Sequence, residues 1–222
     1  NRVCTWNTNQ DGVSPLTPDF FSARRRAFHC LITRTHKVED VIEVAPPEDF
    51  RTALMSLRSA VHPHVEIEEV PAPRALAPFT AALALRTTQT AHDEALAFGR
   101  FVILHDPNGQ MGWNGPFRLV AQLRAQIDAD MSSDPLLSEA LWNWTHDCLE
   151  ERGAGFHDLT GTVSKEVSES FGGLILMGST LAVEIRVSLT PNTPWIGEHL
   201  LAWQDLMCRI AGVENQRFLE RA

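Results

Sequence analysis

From Phe117 to Ile127 the chain alternates with a period of two. Phe117, Leu119, Ala121, Leu123, Ala125 and Ile127 are apolar, while Arg118, Gln122, Arg124 and Gln126 fall between them. The pattern predicts an extended strand with one buried and one polar face, because side chains two residues apart share a face. Just upstream, Phe98–Leu104 is a near-continuous apolar run of the kind a central strand carries. Asp106-Pro107-Asn108-Gly109 between them has turn chemistry: proline presets φ at its second position and glycine accepts a positive φ. The stretch 98–127 therefore reads as an antiparallel hairpin, and the rest of the chain has to pack against it.

Around this hairpin the periodicity alternates between helix and strand. Pro46-Pro47-Glu48-Asp49 reads as a helix start, followed at helical spacing by Phe50, Ala53, Leu54, Leu57 and Val61 until Pro63. Val65–Val70 and Phe79–Arg86 are strand candidates, the second so rich in alanine that a helix competes with it. Asp134-Pro135 predicts a second helix with Leu137, Leu141, Trp144 and Cys148 inward and Gly153 at its end. Thr160–Val167 reads as a polar edge strand. Leu181, Val183, Ile185, Val187 and Leu189 alternate cleanly, and Thr193-Pro194 opens a last helix with Ile196, Leu200, Trp203, Met207 and Ile210 inward. The order implies an α+β fold: an antiparallel sheet of about five to six strands with three main helices packed on one face. Residues 46–213 are read as one domain. Residues 1–45, with Arg24–Arg26, a short strand candidate at Val38–Val44 and no sustained period, are expected to be irregular or loosely attached, and 214–222 to form a tail.

Composition excludes several functions. The net charge of −9 argues against nucleic acid as the main partner, since phosphate binding needs a basic patch. The longest apolar runs, such as Leu174–Met177, are too short to span a bilayer, and the amino-terminal segment has no secretory pattern, so the cytoplasm is the expected location. Cys4, Cys30, Cys148 and Cys208 form no CxxC pair and read as free thiols of a reducing compartment.

Motifs that would carry chemistry do not survive inspection. His105-Asp106 suggests a base and its orienter, but adjacent strand residues point to opposite faces. Asp128, Asp130, Asp134 and Glu139 fall at calcium-loop spacing, yet Ser133 occupies the position where glycine is demanded and Pro135 opens a helix. His62-Pro63-His64 has no nearby Cys or third His to complete a metal set, with Glu66 and Glu68 its only helpers, and reads as solvent-exposed histidines at a helix end. Neither a GxSxG elbow, a phosphate loop nor a dinucleotide GxGxxG is present. The sequence thus assigns no catalytic residue, no metal and no cofactor.

Some stretches are nevertheless recognisable together. His105-Asp106-Pro107 with Gly109, Trp113-Asn114-Gly115 and Phe117-Arg118-Leu119-Val120 form one block. Val65–Val70 with Pro71-Ala72-Pro73 and Leu76-Ala77-Pro78, Asp134-Pro135-Leu136-Leu137 and Gly161-Thr162-Val163 are others. Glu184 with Arg186, His199-Leu200, Ala202-Trp203 and Ala211-Gly212 complete the set. Across Pro46 to Val213 the chain resembles the actinobacterial family known as domain of unknown function 3000, with Asn114 where an aspartate is common in that family. The resemblance implies no activity, because the family has no established one.

Two functional expectations follow. The leading one is a non-catalytic, adaptor- or chaperone-like protein-interaction domain that meets another protein through the polar sheet face, with Arg118, Arg124, Glu184 and Arg186 as contact residues. It rests on that half-open face and on the surplus of Trp, which favours contacts when exposed. The alternative is a small-molecule binder or enzyme whose pocket lies under the loop at 105–116, where His105, Asp106, Trp113 and Asn114 would converge. A homo-oligomer is compatible with the sequence but not derivable from it.

Overall fold

The computed structural model describes residues 45–73, 75–91, 93–172 and 178–213. The expectations for the amino-terminal segment, Cys4, Cys30, the arginine cluster, Leu174–Met177 and the tail lie outside the described residues. Among the described residues there are three α-helices: α1 (Glu48–Ser56), α2 (Leu137–Glu151) and α3 (Gly197–Ile210). The strands are β1 (Val65–Val70), β2 (Phe79–Thr87), β5 (Ala97–His105), β6 (Phe117–Ile127), β7 (Phe156–Glu169) and β8 (Ser179–Pro191). A small extra hairpin, β3 (Thr90–Ala91) with β4 (Glu94–Ala95), sits in the connection from β2 to β5.

The main sheet has six strands in the order β1-β2-β5-β6-β8-β7, and every neighbouring pair is antiparallel. The hairpin read from residues 98–127 is its centre, with His105 opposite Phe117 and Phe101 opposite Ala121. On one face Phe101, Ile103, Leu119, Leu123, Val183 and Ile185 join Phe50 and Leu54 of α1, Leu141 and Cys148 of α2, and Leu200 and Trp203 of α3 in one buried cluster. The α+β fold with its helices on a single face is therefore present. Each fully buried Leu or Ile in this layer is worth roughly 1.5–3 kcal/mol, which is why the odd-numbered residues of β5 and β6 fix the register.

Several boundaries differ from the sequence reading, each for a physical reason. The first helix ends at Ser56 and tightens into a 3₁₀ turn over Leu57–Ser59, so Val61 leaves the helical stripe and is exposed. Asp134 does not cap α2 directly. Its carboxylate accepts from the Leu136 amide (2.8 Å) in a local turn, and the helix starts at Leu137. Thr193 acts the same way ahead of α3, accepting from the Trp195 amide. Gly153 does end α2: it takes φ of 66°, and the Ala154 amide closes back onto the Leu149 carbonyl. β7 is longer at both ends than Thr160–Val167, because pairing with β8 continues past a bulge between His157 and Thr160.

Candidate functional site

The opposite sheet face divides into a sealed end and an open end. At the sealed end Ala82, Val102 and Leu104 form a second buried cluster under Ala72, Leu76 and Ala77 of the β1–β2 connection and Trp113 of the β5–β6 loop. Gln110 Nε2 ties the two connections together by donating to the Leu76 carbonyl (3.0 Å). The alternative pocket would lie here, and the space is filled by these side chains.

The four loop residues part company. His105 is still in β5, so its ring points to the helix face, 1 % exposed, between Phe117 (4.2 Å between centroids), Phe50 and Phe79. Neither ring nitrogen has a hydrogen-bond partner. Burial pushes its pKa down; the Pro116 carbonyl lies close enough to oppose the shift but makes no aligned bond, and Asp49 and Asp106 oppose it weakly. Asp106 organises the turn, accepting from the Asn108 amide (3.0 Å) and from Gln110. Trp113 packs on the opposite face from His105. Asn114, at φ of 54°, reaches β7 and donates to Asp158 Oδ2 (2.7 Å), an oxygen that also meets His157 Nδ1 (2.9 Å). The Asn114 bond, and after it the His157 bond, hold the Asp158 carboxyl below its usual range.

Arg118 also departs from the expected solvent-facing role. It is 8 % exposed and its guanidinium donates to Ser188 Oγ, Thr190 Oγ1 and Thr160 Oγ1, stitching β6, β8 and β7. Desolvation lowers its pKa and the Asp158 charge opposes this, but a guanidinium stays charged throughout the accessible range. Arg124, Glu184 and Arg186 lie further along the same face and largely neutralise one another. Arg124 bonds Glu166 (2.5 Å) and lies 3.9 Å from Glu184, which in turn pairs with Arg186. Partly exposed pairs of this kind contribute about 0.2–1 kcal/mol each.

The open end holds a shallow depression of about 440 Å³ over β1, β2, β5 and β6. Ala84 and the backbone of Gly99 form its floor, with Glu66, Glu68, Arg86, Phe98, Arg100 and Arg124 around it. Cross-strand register explains the arrangement. Glu68 lies opposite Ala84 and Ala84 opposite Arg100; one row down, Glu66 faces Arg86 and Arg86 faces Phe98. Gly99 has no room for a side chain, since a Cβ would collide with the Gln122 carbonyl oxygen. Glu66 and Arg86 pair at 2.8 Å. Arg100 is exposed and makes no ion pair or side-chain hydrogen bond with the described residues. Phe98 is 55 % exposed on a central strand, where a buried neighbour would be the rule. Reading Phe98–Leu104 as one apolar run hides this, although Phe98 shares its face with Arg100 by simple parity.

Behind the helix face lies a buried polar network that the sequence does not announce. His62 was expected in solvent but is 5 % exposed, with Nε2 3.4 Å from Asp205 and Nδ1 3.7 Å from Cys208 Sγ. Arg152 grips the Asp205 carboxylate with Nε and Nη2. The order Cys–His–Asp is that of a nucleophile, base and orienter, yet burial pushes the Cys208 thiol up to about 12, so it is neither ionised nor accessible. Cys148 is raised likewise. Among the described residues no group of three or more His, Cys, Asp or Glu is arranged to hold a metal ion.

Fold and surface together define an α+β protein with one sheet face covered by helices and the other half sealed, half open. The chain belongs to the DUF3000 family, described as a protein of unknown function, whose family model matches residues 46–218. No curated protein and no solved structure matches it. No helix of the described residues is long and apolar enough to cross a membrane.

Proposed function

We propose that the protein is a non-catalytic, adaptor- or chaperone-like interaction domain of the cytoplasm, which receives a partner protein on the open end of its sheet. The observation that carries this reading is Phe98, 55 % exposed on the wall of the depression beside Arg100. Exposed aromatic and arginine side chains around a concave apolar floor are the residues that dominate protein interfaces. The charges select the occupant. Glu68 and Arg100 stand on opposite sides of Ala84, and neither makes an ion pair with the described residues. A complementary partner segment therefore sets an apolar side chain against Phe98 and Ala84, with a carboxylate toward Arg100. Arg124, Glu184 and Arg186 extend the surface as a polar rim, and Arg118, opposite Leu104 at the sealed end, ties β6, β8 and β7 together beyond it.

The test is affinity purification from native cells of wild type and of the F98S/R100E double variant, read by mass spectrometry. Both changed residues are exposed, so the melting temperature should hold. The proposal expects one stoichiometric partner that the variant loses. A partner retained by the variant, or a lone protein carrying a bound metabolite, would overturn it.

A further inference from the structure

The two ends of the sheet are built differently. β1 is a six-residue edge carrying Glu66, Glu68 and Glu69 and followed by Pro71, features that prevent pairing with another strand. β7, the other edge, runs for 14 residues without proline and pairs with β8 in unbroken register from Thr160 to Glu169. No strand among the described residues lies on its outer side. Near its end it exposes Val167 (49 %), Phe171 (75 %) lies two residues beyond it, and the strand carries charges of both signs.

We propose that β7 is the dimer-forming edge of the protein, pairing antiparallel with β7 of a second copy about a twofold axis at Val167. Two copies of one strand keep a common face only if a residue sits opposite itself, so the possible registers are few. Centring on Lys165 or Glu166 sets like charges face to face. Centring on Val167 sets Lys165 opposite the second copy's Glu169, twice by symmetry, with Phe171 of each copy just past the paired residues. Val167 then meets its own copy. The same register takes Val167 out of solvent and sets Glu169 against the Lys165 ammonium, which in its own chain meets only the Asp134 carbonyl (3.4 Å) among the described residues. The long helix α2 does not obstruct it. Trp142 of α2 lies against Gly161, six residues from the axis or about 20 Å along the strand, and the second copy's helix lies as far on the other side. The depression over β1, β2, β5 and β6 is at the far end of the sheet, so this inference stands apart from the proposed function.

Sedimentation of the full chain at micromolar concentration tests it through a charge swap. Wild type should sediment at twice the 24.7 kDa of the chain. K165E, which places two carboxylates opposite each other at both symmetry-related positions, should weaken the dimer about tenfold or more. K165E/E169K restores opposite charges in reversed order and should bring the dimer back. Both positions are exposed, so folding is unaffected. A monomeric wild type, a K165E variant as dimeric as wild type, or a double swap that stays monomeric would each overturn the proposal.

Discussion

Replacing Asp205 with asparagine tests how the helix layer is held behind the sheet. The carboxylate accepts two bonds from Arg152 and faces His62 Nε2, with both acid and arginine largely buried. An amide keeps the shape but offers one acceptor oxygen and turns an N–H₂ toward donors. Two charge-assisted bonds are worth about 1.5–3 kcal/mol each, and removing one partner of a buried pair costs about 3–5 kcal/mol. D205N should therefore lose about 3–5 kcal/mol in urea unfolding, and about 6–20 °C of melting temperature for a chain of this size. Arg152→Met should cost less than D205N, because the carboxylate it leaves still faces His62. The double variant R152M/D205N should be more stable than the two losses summed, since the arginine charge is then gone. A loss below about 1 kcal/mol for D205N would show that solvent screens the pair as it does a surface bridge, and would refute the argument.

Other expectations concern the sheet and the helix packed on it. His105 and His199 are both held by burial below their ordinary pKa of 6.5. The unfolded chain therefore takes up their protons first. Stability is full above pH 6.5 and falls as pH drops below it, each site contributing up to about 1.4 kcal/mol per pH unit. His105→Phe, which fits the aromatic box and removes two unpartnered nitrogens, should be at least as stable as wild type at pH 7.5 and show a shallower loss between pH 6.5 and 5 in the same unfolding assay. Gly99→Ala should cost about 1–3 kcal/mol by forcing β5 from the Gln122 carbonyl, measured by thermal melting. Glu166→Ala, removing an exposed partner of Arg124, should change stability by less than about 1 kcal/mol.

The sequence reveals the sheet better than the surface. Strict alternation in β6 and β8 predicts which face each residue occupies, and β1 falls on its expected residues, Val65–Val70. Helix starts shift because Asp134 and Thr193 close local turns instead of capping, a choice that composition cannot distinguish. Parity shows that Arg118 faces away from the helices. It does not show that the loop carrying Trp113 and Asn114 folds back over that end of the sheet while Ser188, Thr190 and Thr160 take up its donors. His62 and Asp205 are far apart along the chain, so their pairing leaves no local signal. The four residues of the 105–116 loop sit close in sequence and diverge in space for a related reason: the strand ends between His105 and Asp106, and the turn redirects everything after it.

The central claim is that the partner sits on the open end of the sheet, against Phe98. A photo-crosslinking phenylalanine analogue at position 98, compared with the same probe at exposed Trp195 ahead of α3, measures this directly in living cells. The account predicts one protein crosslinked at position 98, with the contact mapped to a segment bearing an apolar and an acidic residue, and none at position 195. Crosslinking at position 195 with none at position 98 would contradict it.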